Sequence, residues 1–344
     1  MGGRERATAK YWKCLREKLS LACHDESWQV TDQPAARPAQ KPAGQLFAVL
    51  PRKGEFMQYK DCHLFFNKIY ILESLKSDER HTGCALFEDL KVWKDAYLPQ
   101  LSISYLTFND KRELGSILGA IEYATKTKNE LPFIHIEAHA NEDCLGTASG
   151  EVIPWADLFN SLQNINIATK NNLVVVVAAC FGFHLFKITD VLERAPFYAV
   201  LGPNQAVSIN EVEAGYQVFY QELFQTKEAN SAIAKMNETL KSTGKRYALI
   251  DCEDLFIMAS KNYLDEHCSA KARLQRVEDI VSQYQALDTK TLTIKEVRKK
   301  AKEALKTDNL EYIKEHHRTF VMIDLYPQNA ERFEFDFSTL VEEA

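Results

Sequence analysis

Long hydrophobic runs are missing from this chain of 344 residues. The longest apolar stretch extends from Leu173 to Phe183, which is far short of the roughly 20 residues that a membrane-spanning helix needs. The first residues carry charge but no apolar core, so we expect no secretory signal. These absences predict a protein that does not associate with membranes.

An excess of positive charge is also missing. The chain has 42 Lys and Arg residues against 48 Asp and Glu residues, which gives a net charge of −6. A protein that holds the phosphate backbone needs a basic field, so we expect no general nucleic-acid binding. The 8 cysteines form no CxxC pair and are too sparse for a disulfide scaffold. We therefore predict a cytoplasmic protein with reduced thiols.

Predicted strands and helices alternate from about residue 64 to residue 251. The segment LVVVVAA is apolar on both faces, which is typical of a parallel strand buried between two layers of helices. The pattern predicts an α/β fold with a mainly parallel sheet of about five or six strands and helices on both faces. We assign residues 1–62 to a helix, linker and short β extension, 63–265 to the sheet domain, and 266–344 to a mainly helical extension. The segment 320–337 is able to add an edge strand.

Two predicted strands end in residues that carry chemistry. PFIHIEAHA brings His139 to the end of one strand, and LVVVVAAC brings Cys180 to the end of another. If these strands are parallel neighbours, both side chains lie at the same edge of the sheet. A thiolate nucleophile needs a nearby cation or a helix N-terminus, and a helix starting at Phe181 would supply the latter. The alternative is that Cys180 is a small hydrophobic core residue.

Cofactor motifs are absent. Neither GxGxxG nor GxxxxGK[ST] occurs, and we predict no cofactor. His135, His139, Cys180 and the nearby His184 are imaginable zinc ligands, but the segment HIEAH differs from HExxH. We favour a core position for His135, and a helix surface or a satisfied core position for His184.

Over about residues 64–265 the sequence resembles the caspase-like cysteine peptidases, within them the bacterial caspase-like and CHAT-domain branch. FIHIEAHA and LVVVVAACFG resemble the family's two strands that end in the catalytic His and Cys. The resemblance implies a caspase-like sheet and an endopeptidase with Cys180 as nucleophile and His139 as general acid/base. It implies an oxyanion hole made by the backbone N–H groups of Ala140 and Cys180, although Ala140 stands where the family has Gly.

The resemblance further implies a protein or peptide substrate, a protein activator or regulator, and a role in defence or cell death. Ala178 replaces the Gln or Asp that shapes the specificity pocket in caspases or metacaspases. Arg80, Asp143, Glu211 and Glu213 are the candidate substrate-binding residues, although Glu211 and Glu213 also suit a helix N-terminus. The alternative function is a catalytically silent caspase-like module that binds or regulates a partner.

Overall fold

The computed structural model describes residues 64–244, 246–286, 291–306 and 309–342. The helix, linker and β segment predicted within residues 1–62 lie outside the described residues. Within these ranges, no helix combines the length and the apolar character that crossing a bilayer requires.

The strands within the described residues form one mixed sheet. Its main path runs in the order β2-β1-β3-β6-β7-β8, and a short β4-β5 hairpin continues from the end of β3. The strands are β1 (Lys68–Ser74), β2 (Ser102–Thr107), β3 (Pro132–Ala140), β4 (Cys144–Gly146), β5 (Val152–Pro154), β6 (Val174–Ala178), β7 (Ala199–Pro203) and β8 (Tyr247–Asp251). The first five strands of the main path are parallel, and β8 is antiparallel to β7.

Helices connect and cover the strands. They are α1 (Thr82–Tyr97), α2 (Lys111–Lys128), α3 (Phe159–Ala168), α4 (Ile209–Thr226), α5 (Ala229–Thr239), α6 (Cys252–Tyr263), α7 (Ala270–Gln285), α8 (Ile294–Lys306), α9 (Asn309–Phe320), α10 (Asn329–Arg332) and α11 (Thr339–Glu342). Short 3₁₀ turns span Trp155–Leu158, Gly182–Ile188 and Lys241–Thr243, and a π turn spans Leu264–Cys268.

Burial explains the layered arrangement. Every residue of β6 is buried, as a strand covered on both faces requires. Helices α1 and α4 lie on the face that carries His135 and Glu137: Gly83 of α1 sits against Glu137, and the rings of Tyr216 and Tyr220 contact His135. The predicted α/β fold, with a mainly parallel sheet, helices on both faces and a helical carboxyl-terminal region, is confirmed.

The described residues divide into two compact units. The sheet unit comprises the described residues up to 261 and those from 313 onward, and the helical unit comprises those within 262–312. The helical unit has its own core, in which Val277, Ile280 and Val281 of α7 pack with Val297 and Ala301 of α8. Each unit therefore buries an apolar face of its own.

This division differs from the boundary at 265/266 that the sequence predicts. Residues 313–342 belong to the sheet unit, because Phe320 and Phe333 are buried and the Ala195 N–H donates to the Phe320 carbonyl at 3.0 Å. The edge strand predicted at 320–337 is wrong. Met322 has a φ of 65°, and the Tyr326 N–H donates to the Met322 carbonyl, so the chain turns there instead of extending.

Candidate active site

The two strand ends lie side by side. Strands β3 and β6 are parallel neighbours, and Glu137 is paired with Ala178. His139 and Cys180 each follow two residues later, so they leave the same edge of the sheet at the same height. His139 is still within β3, whereas Cys180 stands in the turn after β6, so the alternation of side chains along a strand does not extend to it. The register places both residues at the carboxyl edge of the sheet.

Cys180 has a half-buried side chain next to the loop between β7 and α4. The Val207 N–H donates to the Cys180 Sγ at 3.4 Å, and the Val207 carbonyl accepts from the thiol at 3.5 Å. The Val207 backbone therefore contacts the sulfur through both its N–H and its carbonyl.

The turn after Cys180 is strained and tightly packed. Phe181 adopts the left-handed conformation with a φ of 57°, which costs a non-glycine residue about 1 kcal/mol. A Cβ on Gly182 would lie 2.2 Å from the Val177 carbonyl oxygen, so only glycine fits there. Such strain is often concentrated at functional sites.

The α-helix predicted from Phe181 is wrong. The chain forms a seven-residue 3₁₀ helix, Gly182–Ile188, whose residues are buried almost throughout. The left-handed backbone of Phe181 keeps this residue out of a right-handed α-helix. The segment after Cys180 therefore does not place the N-terminus of a regular α-helix at the thiol.

His139 is an exposed ring at the end of β3. Its side chain is 66% exposed, and its Nε2 lies 2.7 Å from Oε1 of Glu79. Glu79 follows β1 in the loop that leads to α1. Its pKa is held below the usual range, first by the hydrogen bond from the Lys76 backbone and then by the hydrogen bond with His139. Reasoning from the sequence missed Glu79, although β1 borders β3 and the loop after β1 carries two carboxylates.

The backbone N–H groups of Ala140 and Cys180 are placed differently from those in a regular ladder. The Asn141 N–H donates to the Cys144 carbonyl at 3.0 Å, so the next pair of this antiparallel ladder, Ala140 with Leu145, is a non-hydrogen-bonded pair. The Ala140 N–H consequently points away from β4. Within the described ranges the Cys180 N–H has no acceptor.

The four predicted substrate-binding residues make different contacts. Arg80 and Glu213 form an ion pair at 2.7 Å, which links the β1–α1 loop to α4. Glu211 forms a capping box with Ser208 at the start of α4. Asp143 is exposed in the β3–β4 turn, where its N–H donates to the Asn141 side chain at 2.9 Å.

A buried polar network surrounds His135 and Glu137 of β3, below the carboxyl edge of the sheet. His135 is fully buried, as predicted: the Tyr220 hydroxyl is 3.0 Å from its Nδ1, and Glu137 is 3.0 Å from its Nε2. The second oxygen of Glu137 accepts from the Thr82 hydroxyl. Both nitrogens of His135 are thus engaged within the core and are not directed to a ligand.

His184 is a core residue too. It is buried, and the Lys187 ammonium donates to its Nδ1 at 3.0 Å. Burial, and next the charge of Lys187, lower the pKa of His184. The described ranges contain no group of three or more His, Cys, Asp or Glu side chains arranged to hold a metal ion.

Comparisons with known proteins give one structural similarity and no family assignment. The chain matches no family model and no curated protein. A solved structure, the Drosophila initiator caspase Dronc, is similar to this chain with 14% sequence identity and a TM-score of 0.43, over 65% of this chain and 92% of that chain. The narrower resemblance to the bacterial and CHAT-domain branch stays a prediction.

Proposed function

We propose that the chain is a cysteine endopeptidase with Cys180 as the nucleophile and His139 as the general acid/base. The observation that carries the proposal is the paired register of Glu137 and Ala178, which brings the ends of β3 and β6 together. A protein substrate, a protein activator, a cytoplasmic location and a role in a regulated defence or cell-death pathway belong to the same proposal.

The proposed reaction has two halves. The Cys180 thiolate attacks the scissile carbonyl carbon, and His139 gives its proton to the leaving amine as the C–N bond breaks. Water then attacks the thioester while His139 takes one of its protons. The C–S bond breaks, the acid product leaves, and the thiolate and the protonated imidazole are restored.

Two backbone donors support the charge that develops on the carbonyl oxygen. We assign this role to the N–H groups of Ala140, the last residue of β3, and of Cys180, in the turn after β6. Alanine in place of glycine keeps the donor, since only proline lacks a backbone N–H. Loss of one oxyanion donor typically slows such enzymes by about 10²- to 10³-fold, so this pair is expected to contribute strongly.

The test uses the full chain and peptides that carry an electrophile, with Asp, Arg, Lys, Leu or Ala at P1. Intact mass is read for the wild type, Cys180→Ala and Cys144→Ala. Cys144 is the matched control, because it is a free, half-buried cysteine on β4. We expect one adduct in the wild type and in Cys144→Ala, and none in Cys180→Ala. An adduct that persists in Cys180→Ala contradicts the proposal.

The second candidate is a catalytically silent module that binds a partner. Its support is that Cys180 Sγ contacts the Val207 backbone while His139 contacts Glu79, together with the lack of a pocket-shaping side chain at Ala178. This candidate predicts no adduct with any probe in folded protein, and none after addition of cell extract. An adduct that appears only in the extract favours a peptidase that needs an activator.

A further inference from the structure

Glu79 is held rigidly by its own loop. Its N–H donates to the Lys76 carbonyl at 3.0 Å, and the Lys76 N–H donates back to Oε2 of the Glu79 side chain at 2.7 Å. One carboxylate oxygen is therefore fixed by the backbone. The other oxygen, Oε1, faces Nε2 of His139 at 2.7 Å.

The ring of His139 has little else to fix its orientation. It is largely exposed, and the residue opposite it on β4 is Gly146, which offers no side chain to pack against it. Among the described residues no group forms a hydrogen bond with Nδ1. A contact that fixes Nε2 therefore determines both the direction of the ring and the nitrogen that exchanges protons.

We infer that Glu79 is a positioning residue: it accepts the Nε2–H of His139, so that Nδ1 is the nitrogen that exchanges protons at the Cys180 side. This inference rests on the proposed function for its kinetic consequence. The contact is an ion pair or hydrogen bond at the surface, which adds little to folding stability. Its effect falls on the orientation of the ring, because a histidine tautomer is set by the bond that its other nitrogen makes.

The first readout does not need activity. Side-chain ¹⁵N spectra of the full chain report the tautomer of each histidine, and His139→Gln assigns the signal. Only the neutral ring has tautomers, so the spectra are read at a pH at which the His139 ring is neutral; there we expect the Nε2–H tautomer in the wild type and a mixture of tautomers in Glu79→Ala. Asp78→Asn is the matched control, because Asp78 is the exposed neighbouring carboxylate in the same loop. It should leave the signal unchanged.

The second readout is steady-state kinetics on a peptide that the wild type cleaves. Glu79→Ala should lower kcat about tenfold, as loss of an orienting partner commonly does, and change KM by less than about twofold. Glu79→Gln keeps a hydrogen-bond acceptor without the charge, so its kcat should lie between the two. Asp78→Asn should match the wild type, and equal melting temperatures exclude loss of folding as the cause.

The two readouts separate this inference from the proposed function. An unchanged His139 tautomer in Glu79→Ala overturns the positioning role, whatever the activity. A wild-type kcat in Glu79→Ala overturns it as well. If Cys180 is inert to every probe while the tautomer still depends on Glu79, the positioning contact stands and the peptidase assignment fails.

Discussion

His317 on α9 is a titratable ring enclosed by aromatic side chains. It is buried, and the rings of Phe256 and Phe337 lie 5.1 and 5.2 Å from it. Burial lowers its pKa to about 4. The unfolded chain takes up this proton near pH 6.5. Between these values the unfolded state therefore binds more protons, and stability falls as the pH drops.

This single residue should make the protein sensitive to acid. The shift corresponds to a loss of about 3 kcal/mol of unfolding free energy between pH 7 and pH 4. His317→Phe removes the proton-binding group and keeps an aromatic ring. Between pH 7 and pH 4, the unfolding free energy of the wild type should therefore fall by about 3 kcal/mol more than that of His317→Phe. Denaturant unfolding at several pH values measures it, and a parallel pH dependence in both proteins would refute the prediction.

Gly182 is the residue that makes the tight turn after Cys180 possible. A Cβ there would meet the Val177 carbonyl oxygen at 2.2 Å, and this oxygen belongs to the buried strand β6. Gly182→Ala should lower the unfolding free energy by about 3 kcal/mol or more, because backbone must move. Gly115→Ala is the control: its Cβ meets nothing within 4 Å on exposed α2, so it should stabilise by about 0.5–1 kcal/mol. Thermal unfolding distinguishes the two variants.

At the scale of elements, the Arg80–Glu213 ion pair bridges the β1–α1 loop and α4. Each partner neutralises the other, so a charged P1 side chain must compete with this pair. Glu213→Gln frees Arg80 and should favour P1 Asp over P1 Arg. Arg80→Gln frees Glu213 and should shift the preference the other way. We expect each shift in relative kcat/KM to be about fivefold or more.

The control for this pair is a separate contact between α1 and α4. Gln217 of α4 donates to Asp89 of α1 at 2.8 Å. Asp89→Asn alters that contact without touching Arg80 or Glu213, and it should leave the P1 preference unchanged. If the variants of Arg80 and Glu213 change kcat/KM equally for all substrates, the ion pair holds the loop and the helix together and does not determine the P1 preference.

The sequence predicts the elements that burial encodes and misses those that tertiary packing decides. The apolar run of β6 and the strand that ends in His139 follow from hydrophobic pattern, and parallel pairing then brings their ends together. The 3₁₀ turn at Gly182–Ile188 does not follow, because a fully buried segment has no periodicity to read. Glu79 also escapes prediction, because the path of a polar loop leaves no periodic signal. Predicting its contact with His139 would have required the knowledge that β1 and β3 are neighbours.

At the scale of the whole molecule, the carboxyl-terminal residues complete the sheet unit. Arg332 donates to the Asn171 carbonyl at 3.0 Å and to the Asn172 side chain at 2.8 Å, and its guanidinium lies 4.4 Å from the centre of the Tyr198 ring. These contacts hold the turn that leads into β6. Position along the chain therefore does not decide which unit a segment stabilises.

A chain that ends at residue 312 should consequently lose the sheet unit. The cut removes several buried apolar side chains, namely Phe320, Val321, Met322, Phe333 and Leu340. Loss of one buried large side chain typically costs about 2–5 kcal/mol, so together they exceed the roughly 5–15 kcal/mol that holds a domain folded. We expect aggregation or a loss of cooperative unfolding.

Point variants separate loss of this packing from loss of chain length. Arg332→Ala should lower the unfolding free energy by about 2 kcal/mol, since it leaves the Asn171 carbonyl without its donor. Leu325→Ala is the control, because Leu325 is 44% exposed and should change stability by less than about 0.5 kcal/mol. Cooperative unfolding of the shortened chain, with a transition like that of the full chain, would mean that the sheet unit folds without residues 313–344. In that case the boundary of the domain would lie nearer to residue 265, because the buried contacts of Phe320 and Phe333 would then follow folding of the sheet instead of supporting it.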